Sequence, residues 1–338
     1  MHATPTPLHR WLQAMPKAEL HLHLDGSLRP ATALELARTG GLDDVPADVE
    51  DMRQRLTAPR RCADQAELLE AFDLPVALLQ DADALARVSA EMVHDVAGDG
   101  TVYAEVRWAP SLHLGQGLSL ADGIAAVVEA GNAAAIDAGI HVRYIAVALR
   151  THTPAMAAAV AQAALRFRAA GLTGFDIAGV ERDAPDPRIF GEAIELARGG
   201  GLGISCHAGE WGGPAQVWQA LEVQPWRIAH GAPAADDAAL MRELTERDVT
   251  LDLCPTSNLQ IGVGSDDPDA PLPRLLRAGV PVTINTDDRT VSDLTLVREL
   301  EGAVEHLGLT GAEIARAMRR AYAVAFLQHD EALRAELQ

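Results

Sequence analysis

The sequence predicts an α/β protein built as a (β/α)8 barrel, the TIM-barrel architecture, with additional helices. Segments with strand character alternate with segments of helical hydrophobic spacing, and eight such strands can be counted along the chain. The 338 residues, 48% of them hydrophobic, suffice for the large core of such a barrel. Aromatic residues make up only 4% of the chain while alanine is abundant, which favours closely packed helices over an all-β architecture. We therefore expect a single domain over residues 1–338.

The first predicted strand lies in residues 19–27, where leucine alternates strictly with polar side chains. Successive side chains of a strand point to opposite faces, so two imidazoles share one face of this strand. Neutral imidazole is a common zinc ligand, although a histidine pair can also be satisfied by ordinary hydrogen bonds at a strand end. Gly26 is expected to allow the sharp turn that ends the strand. The polar face comprises His21, His23 and Asp25.

Seven further strands follow, and helical segments separate them. These strands are predicted at 101–108, 141–149, 174–177, 203–206, 226–229, 249–253 and 281–285. The helices are predicted at 30–40, 82–96, 120–138, 154–170, 187–198, 214–221, 235–247 and 272–278. Residues 42–75 are acidic and irregular, with short helical pieces such as 67–73, and their length is typical of a lid over the active-site face. From residue 292 the tail is predicted to be helical and to cover the outside of the barrel.

Composition excludes several classes of function. The formal net charge of −20, with a pI near 4.9, argues against nucleic acid or an anionic membrane as a partner. Cys62, Cys206 and Cys254 are widely spaced and form no C-x-x-C pair, which favours a reducing cytoplasm over disulfide bonding. No signal peptide is recognisable, and no segment approaches the roughly 18 apolar residues of a membrane span. We expect a cytoplasmic protein, whose oligomeric state these patterns do not determine.

Polar residues follow several of the predicted strands, at the ends that meet on the active-site face of a barrel. Each of them by itself resembles an ordinary core or loop residue, but their shared location favours a joint role. Three imidazoles and one carboxylate are a donor set suited to zinc, with a water molecule completing the coordination. Such a metal lowers the pKa of its water toward neutrality. The expected ligands are His21, His23, His207 and Asp287.

Three more polar groups adjoin these expected ligands in the sequence or in the predicted barrel. Glu210 and Asp288 are carboxylates that need not bind the metal, so they are placed to move protons. His230 follows the strand at 226–229 and can either stabilise an attacking hydroxide or take its proton.

The lysine content bears on the number of metal ions. Many barrels with an H-x-H strand bridge two metals through a carboxylated lysine from a central strand. Lys17 is the only lysine in the chain, so that bridge cannot form unless an acidic residue replaces it. We therefore expect one Zn²⁺ per chain.

Four spaced motifs resemble those of the adenosine deaminase family within the amidohydrolase superfamily. They occur in order and span nearly the whole chain, at residues 16–27 (PKAELHLHLDGS), 205–210 (SCHAGE), 227–231 (RIAHG) and 285–288 (NTDD). The resemblance implies a zinc-dependent (β/α)8 barrel that hydrolytically removes the 6-amino group of a purine, with the four ligands named above.

The same resemblance implies a role for each neighbouring residue. Glu210 would protonate purine N1, His230 would assist the attacking hydroxide, and Asp288 would orient that hydroxide and contact the base. Gly179 would meet purine N3 through its backbone amide, and Asp25 would hold a ribose hydroxyl. The cytidine-deaminase type of zinc site, with H-x-E and P-C-x-x-C, is absent from the sequence.

The intact His-Leu-Asp-Gly sequence at residues 23–26 favours a nucleoside substrate within this family. The expected reaction converts adenosine, and also 2′-deoxyadenosine, to inosine and ammonia. One alternative is a deaminase of another 6-aminopurine compound, such as adenine, a 5′-modified adenosine or aminodeoxyfutalosine. A related hydrolase of amides or phosphoesters and a non-catalytic metal- or nucleoside-binding protein are further alternatives.

Three departures from the family's pattern bear on substrate specificity. The lid segment has few aromatic residues around Leu68, Leu69 and Phe72, and Ala229 stands where glycine is frequent. Arg289 follows Asp288 where proline is common. This arginine either pairs with an acidic side chain or recognises an altered sugar.

Overall fold

Eight parallel strands in sequence order form the sheet at the centre of the computed structural model, which describes residues 5–42 and 44–337. The sheet closes on itself through a bridge between Leu22 and Asp287, where the N–H of His23 donates to the carbonyl of Asp287 at 2.8 Å. The predicted (β/α)8 barrel is therefore confirmed. The strands are β1 (Lys17–His23), β2 (Thr101–Trp108), β3 (His141–Leu149), β4 (Leu172–Ala178), β5 (Gly203–Ala208), β6 (Arg227–His230), β7 (Thr250–Leu253) and β8 (Val282–Ile284).

Fifteen α-helices of the described residues surround this barrel or extend from it. They are α1 (Pro7–Ala14), α2 (Pro30–Thr39), α3 (Val49–Leu56), α4 (Gln65–Leu78), α5 (Ala82–Gly98), α6 (Leu120–Ala138), α7 (Pro154–Leu165), α8 (Gly191–Gly199), α9 (Pro214–Leu221), α10 (Ala238–Glu246), α11 (Pro255–Gln260), α12 (Pro271–Ala278), α13 (Leu296–Glu305), α14 (Gly311–Val324) and α15 (Glu331–Leu337). The described helices include none that is long and apolar enough to cross a membrane.

Local sequence sets the ends of several helices. The Ser119 hydroxyl accepts the N–H of Asp122 at the start of α6, and Gly139 ends that helix in the left-handed conformation. Thr310 and Glu313 form a reciprocal capping box at the start of α14. These caps satisfy backbone groups that a helix end leaves without partners.

The segment at residues 42–75, which was predicted to be irregular, is more helical than its sequence suggests. Asp43 of this segment lies outside the described residues, and so do residues 1–4 and 338 of the predicted domain. It contains α3 and most of α4, a 14-residue helix with Pro75 in its interior. Leu74 of α4 packs on the main core while Leu68 packs on a separate cluster with Ile261. Because α4 is apolar on more than one face, the helical period is weak in its sequence.

Other boundaries differ by a few residues. Helices α1 and α11 are not among the predicted elements. The predicted helix at 154–170 ends at Leu165 and is followed by a separate 3-10 turn. The tail is helical as predicted, since α13, α14 and α15 all lie beyond residue 292.

The interior of the barrel below the strand ends contains charged side chains instead of the branched aliphatic layers that are usual in this architecture. Arg107 Nη1 lies 2.8 Å from Asp176 Oδ2, and Arg227 Nε lies 2.9 Å from Asp252 Oδ2. Arg227 Nη2 also lies 2.5 Å from Glu105 Oε2. All five side chains are fully buried, so their charges are compensated within the protein.

Candidate active site

Three imidazoles and one carboxylate converge at the carboxyl end of the barrel. His23 Nε2 lies 3.3 Å from both His21 Nε2 and His207 Nε2. Asp287 Oδ1 lies 3.0 Å from His21 Nε2 and 3.3 Å from His23 Nε2. The structure thus brings together the four expected metal ligands from β1, β5 and the loop after β8.

This donor set fits a metal ion. The three ring nitrogens and the carboxylate oxygen each have a lone pair that can bind one common cation, and histidine and aspartate are usual zinc ligands. His230 also belongs to a buried histidine cluster with His21 and His207. The buried Cys254 lies close to His21 and Asp287 as well, but its thiol already donates to the carbonyl of Asp252.

The backbone is held in uncommon conformations at two positions of this cluster. Asp287 has φ +67° and His230 has φ +65°, in the left-handed region that side chains other than glycine rarely adopt. Such strain costs about 1–3 kcal/mol per residue and persists only where the surroundings hold it. For Asp287 the support is visible, because its N–H donates to the carbonyl of His21 at 3.0 Å.

A second carboxylate orients the ligand candidate on β5. His207 Nδ1 lies 2.8 Å from Asp176 Oδ2, which favours a proton on Nδ1 and leaves Nε2 for the cluster. Arg107 compensates the charge of Asp176 from below. Burial lowers the pKa of His207 to about 4, so its ring is neutral at physiological pH, as metal binding requires. Sequence reasoning assigned no role to Asp176 or Arg107; an acidic residue near the end of the predicted fourth strand was the available signal.

Glu210 is a buried carboxyl group beside this cluster. Burial raises the pKa of this carboxyl well above its usual value, and the negative charges of Asp287 and Glu181 raise it further. This shift favours the protonated form of the carboxyl group, which can then give up a proton. Its Oε1 lies 3.3 Å from His230 Nε2.

His230 is a neutral imidazole, because burial lowers its pKa. The Nδ2 group of Asn258 on α11 lies 3.3 Å from its Nδ1, so Asn258 can donate there and leave the proton of His230 on Nε2. That proton faces Glu210 Oε1 and, at 3.8 Å, Asp287 Oδ2. Asn258 is a contact that sequence reasoning missed.

Asp288 lies against the turn that follows β1. A Cβ atom added at Gly26 would lie 1.8 Å from Asp288 Oδ1, so the glycine is required by close approach of this carboxylate. A tight turn follows β1 at Gly26, which lies in a short 3-10 turn over Asp25–Ser27 and is not among the glycines with positive φ. Burial, with Asp287 and Asp25 nearby, raises the pKa of Asp288 well above its usual value.

A cavity of about 140 Å³ opens beside this cluster. Both expected substrate-binding residues, Asp25 and Gly179, line it, and Gly179 has φ +96°. Its remaining wall is mostly apolar. Helix α4 contributes Gln65, Leu68, Leu69 and Phe72 to the lining.

Arg289 does not line the cavity. Its Nη2 donates to Asp99 Oδ2 at 2.7 Å, and its Nη1 lies 3.6 Å from Glu19 Oε2. Of the two interpretations offered for this residue, the structure supports pairing with acids over recognition of a sugar.

A family model described as adenosine deaminase matches residues 16–337. The chain belongs to the adenosine deaminase family. The family identified from the sequence motifs is thereby confirmed, and with it a hydrolytic deaminase as the class of enzyme.

Two curated relatives illustrate the closeness of the match. "Adenosine deaminase" of Mycobacterium sp. (strain JLS) is 39% identical over 350 aligned residues, covering 98% of this chain and 95% of the relative. "Adenosine deaminase" of Enterococcus faecalis (strain ATCC 700802 / V583) is 35% identical, covering 95% of this chain and 94% of the relative.

Solved structures with the same fold include deaminases of several substrates. Adenine deaminase from Arthrobacter aurescens superposes with a TM-score of 0.86 at 27% identity, covering 95% of this chain and 96% of that one. N6-methyl-AMP deaminase from Arabidopsis thaliana has a TM-score of 0.83 at 29% identity, covering 97% and 96%. An amidohydrolase from Burkholderia ambifaria with bound Zn has a TM-score of 0.87 at 27% identity, covering 99% and 93%. Family membership and the zinc-containing structure support a divalent metal as the cofactor of this adenosine deaminase family member.

Proposed function

We propose that this protein hydrolytically deaminates adenosine and 2′-deoxyadenosine to inosine and ammonia, using one Zn²⁺ per chain. The observation that supports this most is the arrangement at the barrel end. Three imidazole nitrogens and a carboxylate oxygen lie 3.0–3.3 Å apart. The buried Glu210, whose pKa burial raises well above its usual value, lies beside them at the edge of an apolar cavity.

In this proposal His21, His23, His207 and Asp287 hold the zinc ion. When bound, zinc is a Lewis acid that lowers the pKa of water and so makes a nucleophile available at neutral pH. The single ion agrees with the position of Lys17, whose Nζ donates to the carbonyl of Leu12 at the opposite end of the barrel. No lysine is therefore available to bridge two metals at this site.

The protein's own groups supply the proton transfers. Attack at purine C6 disrupts ring aromaticity, which is unfavourable unless N1 gains a proton at the same time. Glu210, whose protonated form burial favours, is the donor for N1. His230 and Asp288 flank the attacked face, where the Nε2–H of His230 would donate to the nucleophile and stabilise it, and Asp288 would orient it. The proton of the new hydroxyl group at C6 then moves to the amino group, which leaves as ammonia, and the carbonyl of inosine forms at C6.

The cavity indicates how a nucleoside would be bound. Its volume of about 140 Å³ is below the roughly 300 Å³ at which pockets for drug-sized ligands begin. A ribose would therefore require α4 to move outward, and we propose that residues 42–75 act as the lid, within a single domain that spans residues 1–338. With the lid open, Asp25 would accept a ribose hydroxyl and the Gly179 N–H would meet the base.

A substrate panel tests the proposal. The zinc-loaded protein should release ammonia from adenosine and 2′-deoxyadenosine, with the absorbance change of conversion to inosine. The panel should include adenine, a 5′-modified adenosine, aminodeoxyfutalosine and N6-methyl-AMP. Absence of turnover with adenosine by protein containing one zinc per chain would reject the proposal.

Deamination of free adenine is the second candidate function. The small volume of the cavity favours it, and one of the similar structures is an adenine deaminase. A higher kcat/KM for adenine than for adenosine on the same protein would establish this alternative.

Asp25→Ala separates the two candidates. Hydrogen bonds to charged groups contribute about 1.5–3 kcal/mol, so loss of the ribose contact should lower kcat/KM for adenosine by about 10–100-fold. Turnover of adenine should change by less than about threefold, since adenine has no ribose. Asp137→Ala, an exposed aspartate away from the cavity, is the control and should leave both substrates unaffected. Equal losses for both substrates would contradict a ribose contact at Asp25.

We also propose a cytoplasmic location. The three cysteines are free, and Cys206 and Cys254 are buried, which suits a reducing compartment. The formal net charge of −20 suits a small-molecule substrate better than a nucleic acid or an anionic membrane.

A further inference from the structure

Glu181 lies behind the loop that contains Glu210 and contacts it only through backbone groups. The loop follows β5 and has the sequence Gly-Glu-Trp-Gly-Gly over residues 209–213. Glu181 Oε1 accepts the N–H of Gly209 at 2.6 Å, and its Oε2 accepts the N–H groups of Trp211 and Gly212 at 2.6 and 2.7 Å. The carboxylate is 1% exposed. One buried side chain therefore binds the loop on both sides of Glu210.

The loop needs such an anchor because its own sequence restrains it little. Three of its five residues are glycines, which lose more conformational freedom on folding than any other residue. Gly209 and Gly213 have φ +80° and +70°, which glycine adopts without steric cost, so these residues do not hold the loop in one conformation by themselves. A carboxylate has two oxygens that only accept, and each can take more than one N–H group, so it suits three converging donors.

The anchor is connected to the helix that covers the cavity. The N–H of Glu181 donates to Gln65 Oε1 at 3.0 Å, and Gln65 is the first residue of α4. Gln65 and Glu210 both line the cavity. The hydrogen bonds thus run from α4 through residue 181 to the backbone on either side of the proposed acid.

We propose that Glu181 is a positioning residue, which fixes the loop of residues 209–213 so that the Glu210 carboxyl faces the reacting purine. This inference rests on the proposed deaminase function. Glu181 itself does not line the cavity and is placed to act through the loop, not on the substrate. Its negative charge also helps to keep Glu210 protonated.

Glu181→Gln tests this role with the least change in shape. The amide keeps one accepting oxygen, but its NH2 group would face either the Gly209 N–H or those of Trp211 and Gly212. Misplacement of a reacting group by about 1 Å can cost 100-fold, so we expect kcat to fall by about 10–100-fold with KM changed by less than about threefold. Zinc content should remain one per chain.

Two further measurements distinguish positioning from general structural damage. In the Glu210→Gln background, Glu181→Gln should lower kcat no further, because the group that it positions is already absent. In Glu181→Gln, a peptide covering residues 208–213 should be about tenfold less protected from hydrogen exchange, which corresponds to the loss of about one hydrogen bond. Peptides from the rest of the barrel should keep their protection. Hydrogen exchange measures whether Glu181 holds the loop, and this measurement does not depend on whether the protein deaminates adenosine.

Controls give each outcome one meaning. Glu313→Gln removes a carboxylate that accepts the backbone N–H of Thr310 in the α14 capping box, and it should leave kcat and the hydrogen-exchange protection of residues 208–213 unchanged.

An inactive wild-type protein would contradict the deaminase function. Hydrogen exchange would then still test whether Glu181 holds the loop. An active wild-type protein with unchanged kcat or loop protection in Glu181→Gln would overturn the positioning role, and so would a loss of protection spread over the whole barrel. If that variant does not fold, Gln65→Ala should lower loop protection and kcat in the same direction by smaller factors, and no change would count against the inference.

Discussion

Glu210→Gln should lower kcat for adenosine by about 10²–10⁴-fold, the range that a positioned general acid contributes. The amide has nearly the shape of the carboxyl group but has no acidic proton to give to purine N1. Burial and the neighbouring Asp287 raise the pKa of the wild-type carboxyl well above its usual value, which favours the form that carries this proton. Steady-state ammonia release at neutral pH measures the loss.

Metal content separates this expectation from a loss of the zinc site. Glu210 lies near His230 and outside the four ligands, so the zinc content of Glu210→Gln should match the wild type by elemental analysis. Glu305→Gln, an exposed glutamate on α13, serves as the control and should retain full activity. Simultaneous loss of zinc and turnover in Glu210→Gln would show that the residue supports the metal site, contrary to its proposed role.

Arg227→Met is expected to cause the largest loss of stability, about 3–5 kcal/mol in the free energy of unfolding. The guanidinium is fully buried between Glu105 and Asp252, donates to the carbonyl of Val324, and lies 3.8 Å above the Phe326 ring. Methionine fills similar space but leaves two buried carboxylates without this partner. Chemical denaturation of zinc-loaded protein, compared at equal protein and zinc concentrations, gives the change.

A second substitution checks the cause. Arg227→Met combined with Glu105→Gln should recover part of the loss, because a buried uncompensated charge is removed while the Gln oxygen can still accept the N–H of Phe326. Arg188→Met breaks an exposed pair with Asp186 and should cause no resolvable change. A loss for Arg227→Met as small as that of Arg188→Met would mean that these buried charges are neutralised by other means.

Much of the candidate site was predictable from sequence because its residues occupy regular positions. His21 and His23 are two residues apart on β1, and a strand places such side chains on one face whatever surrounds them. His207 and Asp287 follow from the rule that parallel strands of a barrel present their carboxyl ends together. Their convergence within 3.3 Å of His23 is a consequence of barrel closure between Leu22 and Asp287.

Partner choice among the remaining polar residues was not predictable in the same way. Arg289 could pair with any acid from sequence alone, and its partner Asp99 lies 190 residues away. From the sequence, Gly26 was expected only to allow the turn after the first strand. In the structure, the close approach of Asp288 Oδ1 leaves no room for a side chain at this position. Asp176 lies at the end of the predicted fourth strand and Glu181 follows it, but these positions do not indicate that one carboxylate orients a histidine and the other accepts backbone N–H groups.

The sequence by itself determined the barrel, the family and the residues expected to bind zinc. Alternation of strands and helices and the position of polar groups at strand ends are local properties, and local backbone geometry suffices to express them. Only the tertiary structure decided which carboxyl groups have a raised pKa, which carboxylate orients His207, and which one binds the backbone of the Glu210 loop. These properties depend on burial and on distances of about 3 Å between segments far apart in the chain, and both exist only once the barrel has closed.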